Sequence, residues 1–162
     1  MFKKHIFLML VLSALLVSFL PTGMVAVVKE KDGSVILYEP VKPGDVILVG
    51  FTHSVEKVPD IEYFEVGRDR KLLLTRTIYG SMGAGLPSDD TFNVTYDGNG
   101  YFLIDNINKT FDSISYMTGD IPKHYIIIHE NKYPIYSLIP EGKQFILTIE
   151  QNYALKSLLS SI

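Results

Sequence analysis

His53, Ser54 and Glu56 fall within four residues of one another in the stretch Phe51–Glu56 (Phe-Thr-His-Ser-Val-Glu). An imidazole, a hydroxyl and a carboxylate this close raise three chemistries. The first is hydrolysis, with Ser54 as nucleophile and His53 as base. Neighbours on an extended chain point to opposite faces, and a nucleophile needs its base within hydrogen-bond reach. No Gly-x-Ser-x-Gly elbow occurs in the sequence. The second is metal binding by His53, Glu56 and Glu62, a nitrogen and carboxylate set that suits zinc or manganese. The spacing matches no compact metal motif. The third is recognition, in which the stretch forms one side of a polar binding surface.

A glycine-rich stretch, Gly80–Asp89 (Gly-Ser-Met-Gly-Ala-Gly-Leu-Pro-Ser-Asp), supplies a candidate other side. It fits Gly-x-x-x-x-Gly but continues into Leu86 and Pro87, so the phosphate-grasping lysine is missing. Ser81, Gly83 and Gly85 leave backbone that approaches a surface closely and offers amides to an anion such as a carboxylate. The plain alternative is a crossover between sheets.

These stretches must be held by strands. Lys31-Asp-Gly33, Gly67–Arg70, Asp97–Gly100 and Glu130–Lys132 each separate two β-rich runs, a hairpin signal. Val46–His53 is apolar on both parities, as a central strand is. Tyr133–Ile139 reads as a further strand, Asn106–Asp120 as polar and irregular with a short strand at Ser113–Tyr116. Leu155, Leu158, Leu159 and Ile162 have helical spacing. The expectation is an all-β domain, an antiparallel sandwich or barrel of about ten short strands, closed by a short C-terminal helix.

Period-two counting carries one sharper expectation. Glu62 shares a face with Phe64 and Val66, and Arg76 shares a face with Leu72, Leu74 and Ile78. Matching the apolar rows pairs Val66 with Leu72, Phe64 with Leu74 and Glu62 with Arg76. That predicts a half-buried Glu62–Arg76 ion pair, either a polar pocket or a structural bridge. His124 and His129 are five apart, hence on opposite faces of a strand, and His129 is expected to be a structural donor.

The 162 residues suit a single domain. Two of the 15 basic residues, Lys3 and Lys4, belong to the leader, which leaves 13 against 18 acidic ones. That balance argues against a nucleic-acid surface. Absence of cysteine excludes disulfides and thiolate chemistry. Lys3 and Lys4 precede a 15-residue uncharged apolar run, Ile6–Leu20, broken by Pro21 and Gly23. This is the layout of an export signal. It predicts a leader over residues 1–23, cleaved or retained as a membrane anchor, and one exported domain over 24–162, outside the cytoplasm.

The residues of Phe51–Lys57, Pro59, Glu62–Phe64 and Tyr79–Ser88 together resemble a small extracytoplasmic family of unknown function. Its members carry His-Ser-Val-Glu, a nearby proline and glutamate, and a Gly-Ala-Gly-Leu-Pro loop. They are typically encoded beside TAXI-type TRAP transporters, secondary transporters with a separate solute-binding protein. The likeness covers roughly residues 24–150. Asp60 departs from it, standing where an apolar residue is expected. The resemblance implies a setting: a non-enzymatic accessory or binding domain whose partner is the transporter's membrane subunit or its solute-binding protein. His53, Ser54, Glu56, Glu62, Arg76, Ser81, Gly83 and Gly85 are then the expected binding surface, with no cofactor. The alternatives are an exported metal-dependent or hydrolytic enzyme using His53 and Glu56, and a structural envelope domain.

Overall fold

The computed structural model describes residues 2–53, 57–80 and 94–154. An N-terminal helix α1 (Phe2–Ser18) is followed by β1 (Pro21–Glu30), β2 (Val35–Val41), β3 (Val46–Thr52), β4 (Pro59–Val66) and β5 (Leu72–Tyr79). After residues 81–93 come β6 (Val94–Tyr96), β7 (Phe102–Phe111), β8 (Ser113–Met117), β9 (Tyr125–Ile128) and β10 (Asn131–Tyr133). A single helical turn α2 (Ile135–Leu138) and β11 (Gln144–Tyr153) complete the described chain.

The strands form two antiparallel sheets. The first has the order β2-β1-β11-β8 and the second β10-β9-β3-β4-β5-β7-β6. Their inner faces share one core. Ala26, Val28, Phe145, Leu147 and Ile149 of the first sheet pack with Ile47, Val49, Phe64, Val66, Leu72, Ile126 and Ile128 of the second. This is the expected β-sandwich. β3 lies between β9 and β4, with Ile47 and Val49 buried in the core and Val46 exposed on the other face. On it, Gly50 leaves room for the Tyr125 ring, which a Cβ there would strike.

Two segments differ from the sequence expectation. Residues 135–138 are helical where a strand from Tyr133 to Ile139 was expected. Pro134 has no amide to continue the ladder after Tyr133, and the chain turns instead to bury Ile135. The β9–β10 hairpin turns on His129 and Glu130, both at positive φ (48° and 71°), the geometry whose twist matches a two-residue hairpin. Further upstream, β7 runs on to Phe111 through a segment expected to be irregular, with Asn106 and Asn108 at positive φ. The predicted C-terminal helix, Leu155 to Ile162, lies outside the described residues.

α1 has 17 residues, about 26 Å of helix. No described helix is long and apolar enough to cross a membrane. α1 meets the sandwich with almost no spacer. β1 starts at Pro21, and the Ala154 amide donates to the Leu20 carbonyl at 3.1 Å.

Candidate functional site

β4 carries the inner-face row Val66, Phe64, Glu62, Asp60, and the last two are carboxylates under the sandwich. Asp60 is only 4% exposed. On β3, Val49 lies opposite Glu62 and Phe51 opposite Asp60. Glu62 therefore points inward, as period-two counting expects.

The Glu62–Arg76 pair does not form, and this expectation is corrected. Register between β4 and β5 holds for Val66↔Leu72 and Phe64↔Leu74, then shifts, so that Tyr63 faces Arg76 and Glu62 faces Thr77. Thr75 is the extra residue of a β-bulge, its hydroxyl donating to the Tyr63 carbonyl at 3.2 Å. One added residue reverses parity. Thr77, 1% exposed, takes the inner position, and Arg76 turns outward. There its Nε donates to Asp105 Oδ1 at 2.5 Å and its guanidinium lies 5.6 Å from the Tyr63 ring centre.

Glu62 finds a different partner. The Tyr116 hydroxyl on β8, in the opposite sheet, donates to Glu62 Oε2. Tyr116 belongs to a ring cluster with Phe51, Phe145 and His124, whose centroid lies 5.2 Å from Tyr116, 5.2 Å from Phe51 and 5.5 Å from Phe145. His124 is buried, and its Nδ1 has no hydrogen-bond partner among the described residues.

Charge is expensive in this environment. Burial raises the Glu62 carboxyl above its ordinary value; the Tyr116 bond opposes the rise and the Asp60 charge adds to it. Burial likewise raises Asp60, offset by the Gly80 amide and by His53. The Tyr116 hydroxyl is pushed far up by burial and the Glu62 charge, so it stays a donor. Tyr79 is raised by burial and by the charges of Glu62 and Asp60. His124 is pushed down to about 4 by burial and is neutral at ordinary pH.

Both glycine- and histidine-bearing loops are rooted here. His53 follows β3, its amide donating to the Val58 carbonyl at 2.8 Å and its carbonyl accepting from Lys57 at 3.0 Å. Lys57 takes positive φ (58°) to close that turn. Gly80 leads out of β5, and a Cβ on it would lie 2.5 Å from Val58 Cβ. The close approach that glycine allows thus holds the base of one loop against the base of the other. Ser54, Glu56, Ser81, Gly83 and Gly85 lie outside the described residues. Of the expected surface, His53 and Glu62 stand at this end of the sandwich, and Arg76 is on the outer face. Asp60, Tyr79, Tyr116 and His124 were not singled out as site residues. Asp60 had one available signal, its shared parity with Glu62, Phe64 and Val66.

Among the described residues no three His, Asp or Glu side chains gather as a metal site. The arrangement can hold a proton on a buried carboxyl, or accept a cation against one. His129 is placed as a structural residue, its Nε2 2.7 Å from Asp45 Oδ2.

Fold and site define an antiparallel β-sandwich with a buried acidic end. The chain belongs to the family described as a domain of unknown function, DUF1850, which matches residues 47–135, more than half of the sequence. The matched span runs from β3 to the start of α2 and holds every residue of the cluster except Phe145. No curated protein and no solved structure matches the chain significantly.

Proposed function

We propose that this protein is a non-enzymatic, exported accessory or binding domain that works beside a TRAP-type solute uptake transporter. Its partner is the membrane subunit or the solute-binding protein of that system, and the leader delivers it outside the cytoplasm. The observation that carries this reading is where the two motif stretches leave the sandwich. The His53 turn and the Gly80 exit meet at Val58, with the Gly80 amide on Asp60, so both stretches are rooted at the same end of the sandwich. Docking is favoured over catalysis because the described groups make no relay. Tyr116 donates to Glu62, and the His124 Nδ1 has no hydrogen-bond partner among the described residues. The enzyme alternative depends on Glu56, beyond the described residues.

The outward turn of Arg76 also bears on ligand class. A carboxylate solute held by Arg76 does not fit, because Arg76 is committed to Asp105 on the other face. Cleavage of the leader is expected no later than Gly23. A cut after Ala26 would remove Val25 and Ala26, both fully buried.

Co-purification with a tagged transporter membrane subunit tests the reading. The wild-type chain is expected to be recovered, a Gly80→Val variant to be lost, and Arg76→Gln to be retained. Failure to recover any transporter component from membranes would sink the docking role.

A further inference from the structure

Where β8 crosses β4 and β5, the sheets part into an open cleft of about 310 Å³. Its walls are Phe64, Leu74, Phe111 and Ile114, and at one end lie the Glu62 carboxyl and the Tyr116 hydroxyl. The volume is at the small end of ligand pockets, about 300–1,000 Å³. It suits one ring or a short alkyl chain and is too small for a peptide segment.

The polar end has an unmet demand. A carboxylate offers about four lone-pair sites, and Tyr116 uses one. Among the described residues no lysine, arginine or histidine pairs with Glu62, and the charge that acts on it, Asp60, has the same sign. A half-buried carboxylate lacking a counter-charge is costly, and an arriving ammonium relieves that cost. A carboxylate guest would meet repulsion. An uncharged guest would strip water from Glu62 without replacing it. Lys109, 5.3 Å from the Phe111 ring centre, is an exposed side chain whose charge is screened by solvent.

We propose that this cleft binds a small apolar molecule bearing a protonated amine. The ammonium lies against Glu62 and Tyr116, and the hydrocarbon lies between Phe64, Leu74 and Phe111. The binding stands apart from the transporter reading, since it is measured on the isolated chain, and its failure leaves the co-purification result untouched.

Benzylamine is the probe, with benzyl alcohol and benzoate as matched controls, titrated into the isotope-labelled full-length chain and followed by amide resonances. Benzylamine is expected to give saturable shifts at Phe111 and Ser113–Tyr116, and benzoate none. Glu62→Gln is expected to weaken benzylamine at least tenfold, which is about 1.4 kcal/mol. Leu74→Phe narrows the cleft without touching the carboxyl and is expected to weaken it as well. The proposal is overturned if the controls bind as tightly as benzylamine, or if no cleft amide responds saturably. It is equally overturned if either folded variant keeps wild-type affinity.

Discussion

The two ends of the β3–β9 strand pair carry the same residue types under opposite conditions. At one end His129 is exposed, its Nε2 2.7 Å from Asp45 and its Nδ1 4.0 Å from Glu39, which also accepts from the Tyr133 hydroxyl. At the other end His124 is buried among rings, half-buried Glu62 accepts from the Tyr116 hydroxyl, and buried Asp60 takes the Gly80 amide. Asp45 is pushed up by burial, but the Lys42 amide and the His129 ring outweigh this and hold it below its ordinary value. Asp60 and Glu62 are held above theirs. Paired polar groups at a surface keep a structure in register. Poorly paired ones inside are retained against a stability cost and are the better place to look for a ligand.

Cutting the one strong bond at the buried end should separate the two ends most clearly. Tyr116→Phe removes the described hydrogen-bond donor to the Glu62 carboxyl and is expected to cost about 1–3 kcal/mol in urea unfolding at neutral pH. Adding Glu62→Gln to that variant should restore much of the loss, because an uncharged amide is cheaper to leave there. If the double variant is as unstable as the sum of the two singles, the coupling is absent.

A second contrast lies in pH. The folded state raises Glu62 and Asp60, so their contribution is fully present below the unfolded values, 4.5 and 3.8, and is lost as pH rises through the folded ones. His124 works the other way. Its folded value of about 4 lies below 6.5, so its contribution is present above 6.5 and lost as pH falls toward 4. The two slopes oppose one another above 4.5. Glu62→Gln should therefore gain stability over the wild type as pH rises from 4.5, and thermal unfolding across that range would reveal it. A constant offset would mean that Glu62 does not titrate differently on folding.

The smallest effect is expected at the exposed end. His129→Gln should cost no more than about 1 kcal/mol, since the His129 side chain is exposed and its contacts lie at the surface. A cost as large as that of Tyr116→Phe would erase the distinction between the ends.

Much of this architecture was legible in the residues. The Asp-Gly turn, the doubly apolar β3 and the inward Glu62 follow from turn chemistry and parity. The Thr75 bulge was not, because nothing in Leu72–Tyr79 marks it: no glycine interrupts the run, and both parities carry residues that suit a strand. Tyr116 was out of reach for another reason. It is 54 residues from Glu62 and belongs to the other sheet, so only the packing of the sandwich joins them. Asp60 departs from the family pattern, although its parity with Glu62, Phe64 and Val66 aims it at the core. The contrast between His124 and His129 depends on which strand end meets the opposite sheet, which local periodicity does not encode.

The Thr75 bulge has a consequence for how related chains are to be compared. It acts as a phase shifter: everything beyond it toward the glycine loop swaps inside for outside relative to a simple count. A relative one residue shorter at that point would keep its equivalents of Arg76 outward and Thr77 inward on a regular strand, whereas a relative of the same length without the bulge would present its Arg76 to the carboxylates. Flattening the bulge at constant length thus converts an acidic cleft into a self-neutralised one without altering any side chain in it. Aligning such chains by residue type alone would conceal the exchange.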